Sequence, residues 1–227
     1  MTPCKLAFIG GGNMARSLIG GLIANGMPAE NIRVADSQSA TLESLNHRYP
    51  IQTFTDNLKA IDGADVVILA VKPQHLQDVV KELSSHWQAE QLLISIAAGI
   101  RIDDISRWLG SHSPAIVRAM PNTPALVEAG ATALYANPHV RHQQHELAES
   151  ILRACGLTIW LTNEQHMDAV TALSGSGPAY FFLVMEAMES AAIELGLPQE
   201  TARLLCLETA FGAAKMALES GESASTL

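Results

Sequence analysis

Residues Leu6 to Ser17 read LAFIGGGNMARS: four apolar residues break into Gly10, Gly11 and Gly12, and Asn13, Met14 and Ala15 then open an amphipathic stretch. That is a strand, a glycine turn and a helix start. In this arrangement Gly10 lets the chain turn sharply, Gly12 lets the backbone approach a pyrophosphate with no side chain in the way, and Ala15 keeps the helix close to the sheet. The N–H groups of the first helical turn carry about half a positive charge from the aligned peptide dipoles and face the phosphates. Leu18, Ile19, Leu22 and Ile23 continue the helical pattern to Asn25-Gly26, and a second strand, Asn31 to Ala35, ends at Asp36. An acid at that distance suits a ribose hydroxyl. The opening segment therefore nominates a dinucleotide ligand.

The chain has 227 residues, more than one typical domain, so a cofactor domain with a smaller companion is the natural division. Its net charge is -9, and no run of Lys or Arg interleaves with aromatic residues, which argues against nucleic acid as a partner. An anionic ligand must then be held by local dipoles and single cations. Cys4, Cys155 and Cys206 are odd in number and widely spaced, as suits reduced thiols packed as small apolar residues in a cytosol. The N-terminus lacks a charged region followed by a long apolar core, and no apolar segment reaches the about 20 residues that span a bilayer. The expected compartment is the cytoplasm, with no membrane partner.

Strand and helix signals alternate through the first two thirds. Short strands are expected at Gln52 to Phe54, Asp65 to Val71 and Leu92 to Ile96, and later ones at Ala115 to Met120, Ala131 to Ala136 and Thr158 to Leu161. Leu76, Val79, Val80 and Leu83 place a helical face within Gln74 to Trp87; Ile102, Ile105, Trp108 and Leu109 repeat the spacing, and a further helix runs from about Arg141 to Ala154. Doubly apolar strands joined by helices predict a doubly wound, Rossmann-like parallel sheet over residues 1–162. The strand signals stop near Asn163. Pro178 opens a nearly all-apolar helix that ends at Gly196-Leu197-Pro198, and another runs from about Gln199 to Leu218. Residues 163–227 thus form a smaller all-helical part. A helix apolar on most of its circumference must be surrounded by protein, so a partner subunit is expected to complete the shell.

Several polar or glycine-rich segments fall just after strands, where an open parallel sheet places its ligands. Val71-Lys72-Pro73-Gln74, next to Ala70, comes at the end of the strand Asp65 to Val71; Pro73 forces Lys72 out of the helical region, and Lys72 supplies one cation. Ala97, Ala98 and Gly99 are small enough for a flat ring to lie against backbone. Arg118 to Pro124 ends another strand and is stiffened by two prolines. Ser174-Gly175-Ser176-Gly177-Pro178 reads as a flexible polar loop whose free N–H groups suit a carboxylate. No HxxxH pair or GxSxG elbow is present, which speaks against a metal site and a serine nucleophile. His75, His86 and His112 read as surface or helix positions. Hydride transfer needs neither metal nor nucleophile, because a nicotinamide carries the chemistry.

Taken in order, FIGGGNMA, ILAVKPQ, ISIAAGI, RAMPNTPALVEAGATAL, DAVTALSGSGPAYFF and AAKMALESGESASTL cover the chain end to end, and together they resemble the Δ1-pyrroline-5-carboxylate reductases of proline biosynthesis. The resemblance implies an oxidoreductase that reduces a cyclic imino acid to L-proline with NADPH or NADH. Gly10, Gly12, Asn13, Met14 and Ala15 would hold the pyrophosphate, Asn57 and Lys72 the cofactor's flank, and Ala97 to Gly99 the nicotinamide. Glu164, Ser174, Gly175, Ser176 and Gly177 would border the substrate. No residue is assigned as a catalytic acid, since an imine bound as a cation is already electrophilic and rate comes mainly from positioning. The resemblance also implies a homodimer through the C-terminal helices, or a larger assembly.

Two departures stand out. The family's Ser/Thr-Pro-Gly-Gly-Thr-like loop follows the stretch resembling GESASTL, whereas this chain ends at Leu227, so part of the C-terminal region is expected to be missing. Cofactor choice is open: Asp36 with Ser37, Gln38, Ser39 and Ala40 offers no cation to a 2′-phosphate, and two unit charges about 4 Å apart repel by about 4 kcal/mol at an effective dielectric near 20. Family habit leans the other way, with the Ser37 and Ser39 hydroxyls as phosphate donors. Two rival readings are a β-hydroxyacid dehydrogenase and a non-catalytic dinucleotide-binding protein. The first calls for GxxGxGxxxK at the long helix, but four residues after Gly177 stands Phe181.

Overall fold

The computed structural model describes residues 4–110 and 113–227, so His112 lies outside the described residues. They divide into two compact units, Met1–Gly175 and Ser176–Leu227. In chain order the first unit holds β1 (Leu6–Ile9), α1 (Asn13–Ala24), β2 (Ile32–Ala35), α2 (Ser39–Arg48), β3 (Gln52–Phe54), α3 (Asn57–Ile61), β4 (Val66–Leu69), α4 (Pro73–Leu83), β5 (Leu92–Ser95), α5 (Ile102–Leu109), β6 (Ala115–Met120), β7 (Gly130–Ala136), α6 (His142–Arg153), β8 (Gly156–Trp160) and α7 (Met167–Val170). The second holds α8 (Gly177–Glu194) and α9 (Gln199–Glu219). The change in strand signal puts a boundary near residue 163, but the compact first unit continues to Gly175, because Ser174 is hydrogen-bonded to Asn122 and Ala131 in that unit.

One eight-stranded sheet orders its strands β3-β2-β1-β4-β5-β6-β7-β8. All pairs are parallel except β6 with β7. The reversal has a simple cause. A parallel return needs a crossover of a dozen or more residues, and only the short stretch between Met120 and Gly130, with a 3₁₀ turn at Thr123–Val127, joins these strands. Every residue of β1 and β4 is buried, because helices cover both faces of the sheet. One apolar cluster gathers Phe8, Leu18, Leu22 and Ile68 on one face; the other gathers Ile9, Leu69, Leu76 and Ile105 on the opposite face.

One contact between two glycines fixes the packing of the far edge. Gly156 adopts φ +134° at the start of β8, and a Cβ there would overlap the backbone of Gly130, its register partner on β7. Beside it, burial and, to a lesser degree, the Glu128 carboxylate push the Cys155 thiol up to about 11 from an ordinary 9.0. Cys4 is pushed up as well, by burial first and then by Asp65.

In the second unit α8 and α9 pack on each other around Ala202 and Cys206. Phe181, Phe182, Leu183, Leu205 and Phe211 of these helices are all more than half exposed. No described helix is long and apolar enough to cross a membrane.

A Gly156→Ala variant is expected to lose more than about 2 kcal/mol of stability in urea denaturation, through left-handed strain and backbone overlap. The thiol supplies a second test. A folded pKa raised above the unfolded one gives stability that is complete below the unfolded value and lost as pH rises through the folded value. The stability gap between the wild type and Cys155→Ala therefore narrows as pH rises from about 9 towards 11. A gap that stays constant over that window contradicts the assigned environment.

Candidate functional site

Strand order reverses its direction of growth between β1 and β4, and parallel pairing places the turns after both strands at one edge. Gly10 N–H donates to Ala35 O at 2.7 Å, and Ala70 N–H donates to Ile9 O at 2.8 Å, so the two turns leave the sheet side by side. Gly10 sits at φ +101°, where a Cβ would lie 2.7 Å from Ala70 O. Only glycine fits there.

A cavity of about 380 Å³ opens over these turns and is lined by Gly10, Gly12, Asp36, Ser37, Asn57, Ala70, Val71 and Lys72, eight of the residues singled out from sequence. His75, Gln38 and Thr41 line it too. Sequence reading set His75 aside as a helix position. The overlooked signal is its place three residues after Lys72, on the first turn of α4 and beside the same opening.

Asn13, Met14 and Ala15 form the first turn of α1, which no side chain caps. Their N–H groups have no acceptor within the helix, the first such bond being Arg16 N–H to Gly12 O at 3.0 Å. A Cβ on Gly12 would meet nothing within 4 Å. An open space bounded by bare helical N–H groups and glycine backbone fits a pyrophosphate, held without a dedicated cation. Lys72 has extended dihedrals (φ -63°, ψ 144°) ahead of Pro73, the first residue of α4, as the proline demands.

Asp36 does more than face the cavity. Its Oδ2 accepts Gly11 N–H and its Oδ1 accepts Gln38 N–H, both at 2.8 Å. The carboxylate thus ties the glycine turn to the end of β2 while staying at the pocket wall. Asn57 begins α3, and its Nδ2 donates to Glu82 Oε2 at 2.8 Å.

Ala97, Ala98 and Gly99 follow β5, the next strand along the edge. Ile96 N–H reaches Leu69 O at 3.2 Å and Ala97 N–H reaches Ser95 Oγ at 3.4 Å, so the turn stays on the sheet. Gly99, at φ +75°, would place a Cβ in open space. Beyond it Glu164 Oε1 accepts Arg118 Nη1–H at 3.0 Å and Ile102 N–H, the first of α5, at 2.9 Å. Asn122 completes this end. Its Oδ1 accepts Ala131 N–H at 2.9 Å and its Nδ2 donates to Ser174 Oγ at 3.3 Å.

The segment expected as a flexible loop at Ser174 to Pro178 is helical instead. Thr171–Gly175 forms a π-helical turn directly after α7, Ser176 has right-handed helical dihedrals (φ -86°, ψ -22°), and Gly177 begins α8. Met167 anchors the turn in the core with no exposure, and Thr171 Oγ1–H donates to Met167 O at 2.8 Å. π-turns inside helices often mark functional positions. Among the described residues no group of three His, Cys, Asp or Glu side chains could hold a metal ion.

Residues 5–99 match the family described as NADP oxidoreductase coenzyme F420-dependent, and residues 164–227 match the family described as pyrroline-5-carboxylate reductase dimerisation. The chain is 50% identical over 220 residues to the pyrroline-5-carboxylate reductase of Pseudomonas aeruginosa, covering 97% of this chain and 80% of that one. The solved pyrroline-5-carboxylate reductase of Coxiella burnetii superposes with a TM-score of 0.91 at 47% identity, covering 98% of this chain and 82% of that chain. A Plasmodium falciparum pyrroline carboxylate reductase solved with NADP bound gives a TM-score of 0.87 at 30% identity, covering 100% and 83%.

Gly12→Val is expected to keep the melting temperature of the wild type, since its side chain meets open space, yet to weaken NADPH or NADH binding by roughly tenfold or more, about 1.4 kcal/mol. Tryptophan fluorescence titration measures it, and an unchanged Kd contradicts the pyrophosphate assignment. Asp36→Asn removes a charge from the pocket wall and is expected to raise the ratio of kcat/KM for NADPH over NADH. A ratio that stays fixed or falls shows that Asp36 acts on the turn alone.

Proposed function

The chain belongs to the pyrroline-5-carboxylate reductase family, and from that membership we propose how its residues divide the work of an NAD(P)H-dependent reductase that forms L-proline. Gly10, Gly12 and the first turn of α1 hold the pyrophosphate; Asp36, Ser37 and Asn57 border the adenosine side, and Ala70 to Pro73 form the opposite wall. Ala97, Ala98 and Gly99 form the platform for the nicotinamide, which supplies the hydride when bound. Glu164, Ser174, Gly175, Ser176 and Gly177 border the imino acid.

What supports this reading is the sharing of one edge. The turns after β1, β4 and β5 and the Asn122–Ser174 bond all stand at the carboxyl ends of consecutive strands. The residues there bind and orient more than they react. Ala97 is 4% exposed and its N–H is bonded to Ser95 Oγ at the end of β5, so a flat ring laid along this turn meets fixed backbone. Fixed dipoles of this kind lower a barrier without reorganising. A cyclic imine bound with its nitrogen protonated is already electrophilic at C5, which is why the chain has no need of a strong acid beside it.

The exposed apolar residues of α8 and α9 support a homodimer in which each subunit's helices are covered by its partner's. Exposed Phe, Leu and Tyr on two adjacent helices form a patch beyond what monomers usually carry. Residues 163–227 serve as the substrate and dimerisation part in this scheme. Cys4, Cys155 and Cys206, all free and buried, fit work in the cytoplasm.

The assay that tests the proposal is NAD(P)H consumption with pyrroline-5-carboxylate and, separately, with the oxidised forms of a hydroxy-acid panel. Turnover confined to the imino acid is expected. Turnover confined to the panel points to a β-hydroxyacid dehydrogenase, and cofactor binding with no turnover to a non-catalytic protein. Phe181→Glu is expected to halve the mass measured by light scattering; an unchanged mass overturns the helix interface.

A further inference from the structure

Among the described residues of the first unit, Arg118 is the most deeply buried charged side chain. It stands on β6, its side chain is 4% exposed, and its register neighbours are Ser95 at the end of β5 and Tyr135 on β7. A guanidinium in that position is costly unless it is paired. Nη1 donates to Glu164 Oε1 at 3.0 Å, and Nη2 lies 3.8 Å from Asp168 Oδ1, a mostly exposed side chain. The same Glu164 oxygen accepts Ile102 N–H at 2.9 Å, where the carboxylate also meets the positive end of the α5 dipole.

We propose that Arg118 is a positioning residue, a buried strut that acts through Glu164 to hold the Ala97–Gly99 turn in register with the Asn163–Gly175 segment. The chain leads directly from Gly99 through Ile100 and Arg101 to Ile102, so fixing the start of α5 fixes the far end of the turn. Glu164 begins the 3₁₀ turn that leads into α7 and the π-turn carrying Ser174. One carboxylate oxygen therefore joins the two stretches that the functional reading assigns to nicotinamide and substrate. Arg118 supplies the charge that holds this half-buried carboxylate pointed at both. Glu164 then acts as a joint, whatever its second oxygen contacts. Asn122 makes the matching tie two residues beyond β6, linking Ser174 to β7 through Ala131.

The strut rests on the reductase reading for its functional meaning, but its geometry can be tested without turnover. Arg118→Met, Glu164→Ala, the double variant and Arg118→Lys are compared with the wild type. In cofactor-free protein, hydrogen exchange of the peptide spanning 97–105 is expected to speed up in Arg118→Met, although Arg118 makes no bond to that peptide. Arg118→Lys restores the protection in part. In turnover, kcat is expected to fall roughly tenfold or more while the Kd for NADPH moves less than about twofold, because the glycine pocket is untouched. The double variant is expected to be no worse than the poorer single one, as befits residues acting as a unit.

Unchanged exchange at 97–105 in Arg118→Met overturns the strut. So does a lowered melting temperature with kcat kept within about twofold of the wild type, which marks a pair serving the fold alone. Absence of wild-type turnover on pyrroline-5-carboxylate sinks the reductase reading instead and leaves the exchange result standing.

Discussion

Strand β1 pairs residue for residue with two neighbours at once: Leu6 stands opposite Ile32 and Val66, and Ile9 opposite Ala35 and Leu69. A strand buried on both faces carries no alternation of polarity, so the hydrophobic pattern cannot set its register. Its end sets it. Gly10 turns with positive φ directly beneath the Ala70 carbonyl, in a space no side chain can share. A slip that brought Ile9 to that point would press its side chain into the Ala70 carbonyl. The turn that faces the ligand is thus the turn that aligns the sheet, and the edges of β4 and β5 inherit their height from it.

Because the edge is assembled from strand ends, its chemistry is mostly backbone. The chain carries 23 acidic against 14 basic side chains, and in the pocket Lys72 is the one Lys or Arg among the described lining residues. On the proposed reading, oriented N–H groups accommodate an anionic cofactor and cost no desolvation of a counter-charge. Asp36 shows how closely scaffold and selectivity are joined. The carboxylate at the pocket wall also accepts two backbone N–H groups of the structure that forms it. On the proposed reading, replacing it shifts the cofactor preference and loosens the turn together.

Much of this was readable from residue order. The apolar strands, the glycine turn, Lys72 ahead of Pro73 and the long apolar helix after Pro178 stand where local propensity places them, since each depends on neighbours within a turn or two. What depends on distant partners was not readable. Arg118 and Glu164 are 46 residues apart, and nothing near either one announces the other. The gathering of Ser and Gly at Ser174 to Gly177 reads as a loop by composition; burial of Met167 and the tie from Asn122 to Ser174 override it and wind the chain into a π-turn. The reversal of β7 was hidden for another reason: it follows from the length of one connection, and strand patterns do not encode direction.

On the proposed reading, this edge brings a reduced nicotinamide against the C5 carbon of a cyclic imino acid. The most direct test of that reading is one turnover experiment with NADPH deuterated at the transferring position of C4, run in ordinary water with pyrroline-5-carboxylate and read by mass spectrometry. The account predicts L-proline carrying one deuterium, located at C5. Proline without the label, or label spread over other carbons, would contradict direct transfer at this site.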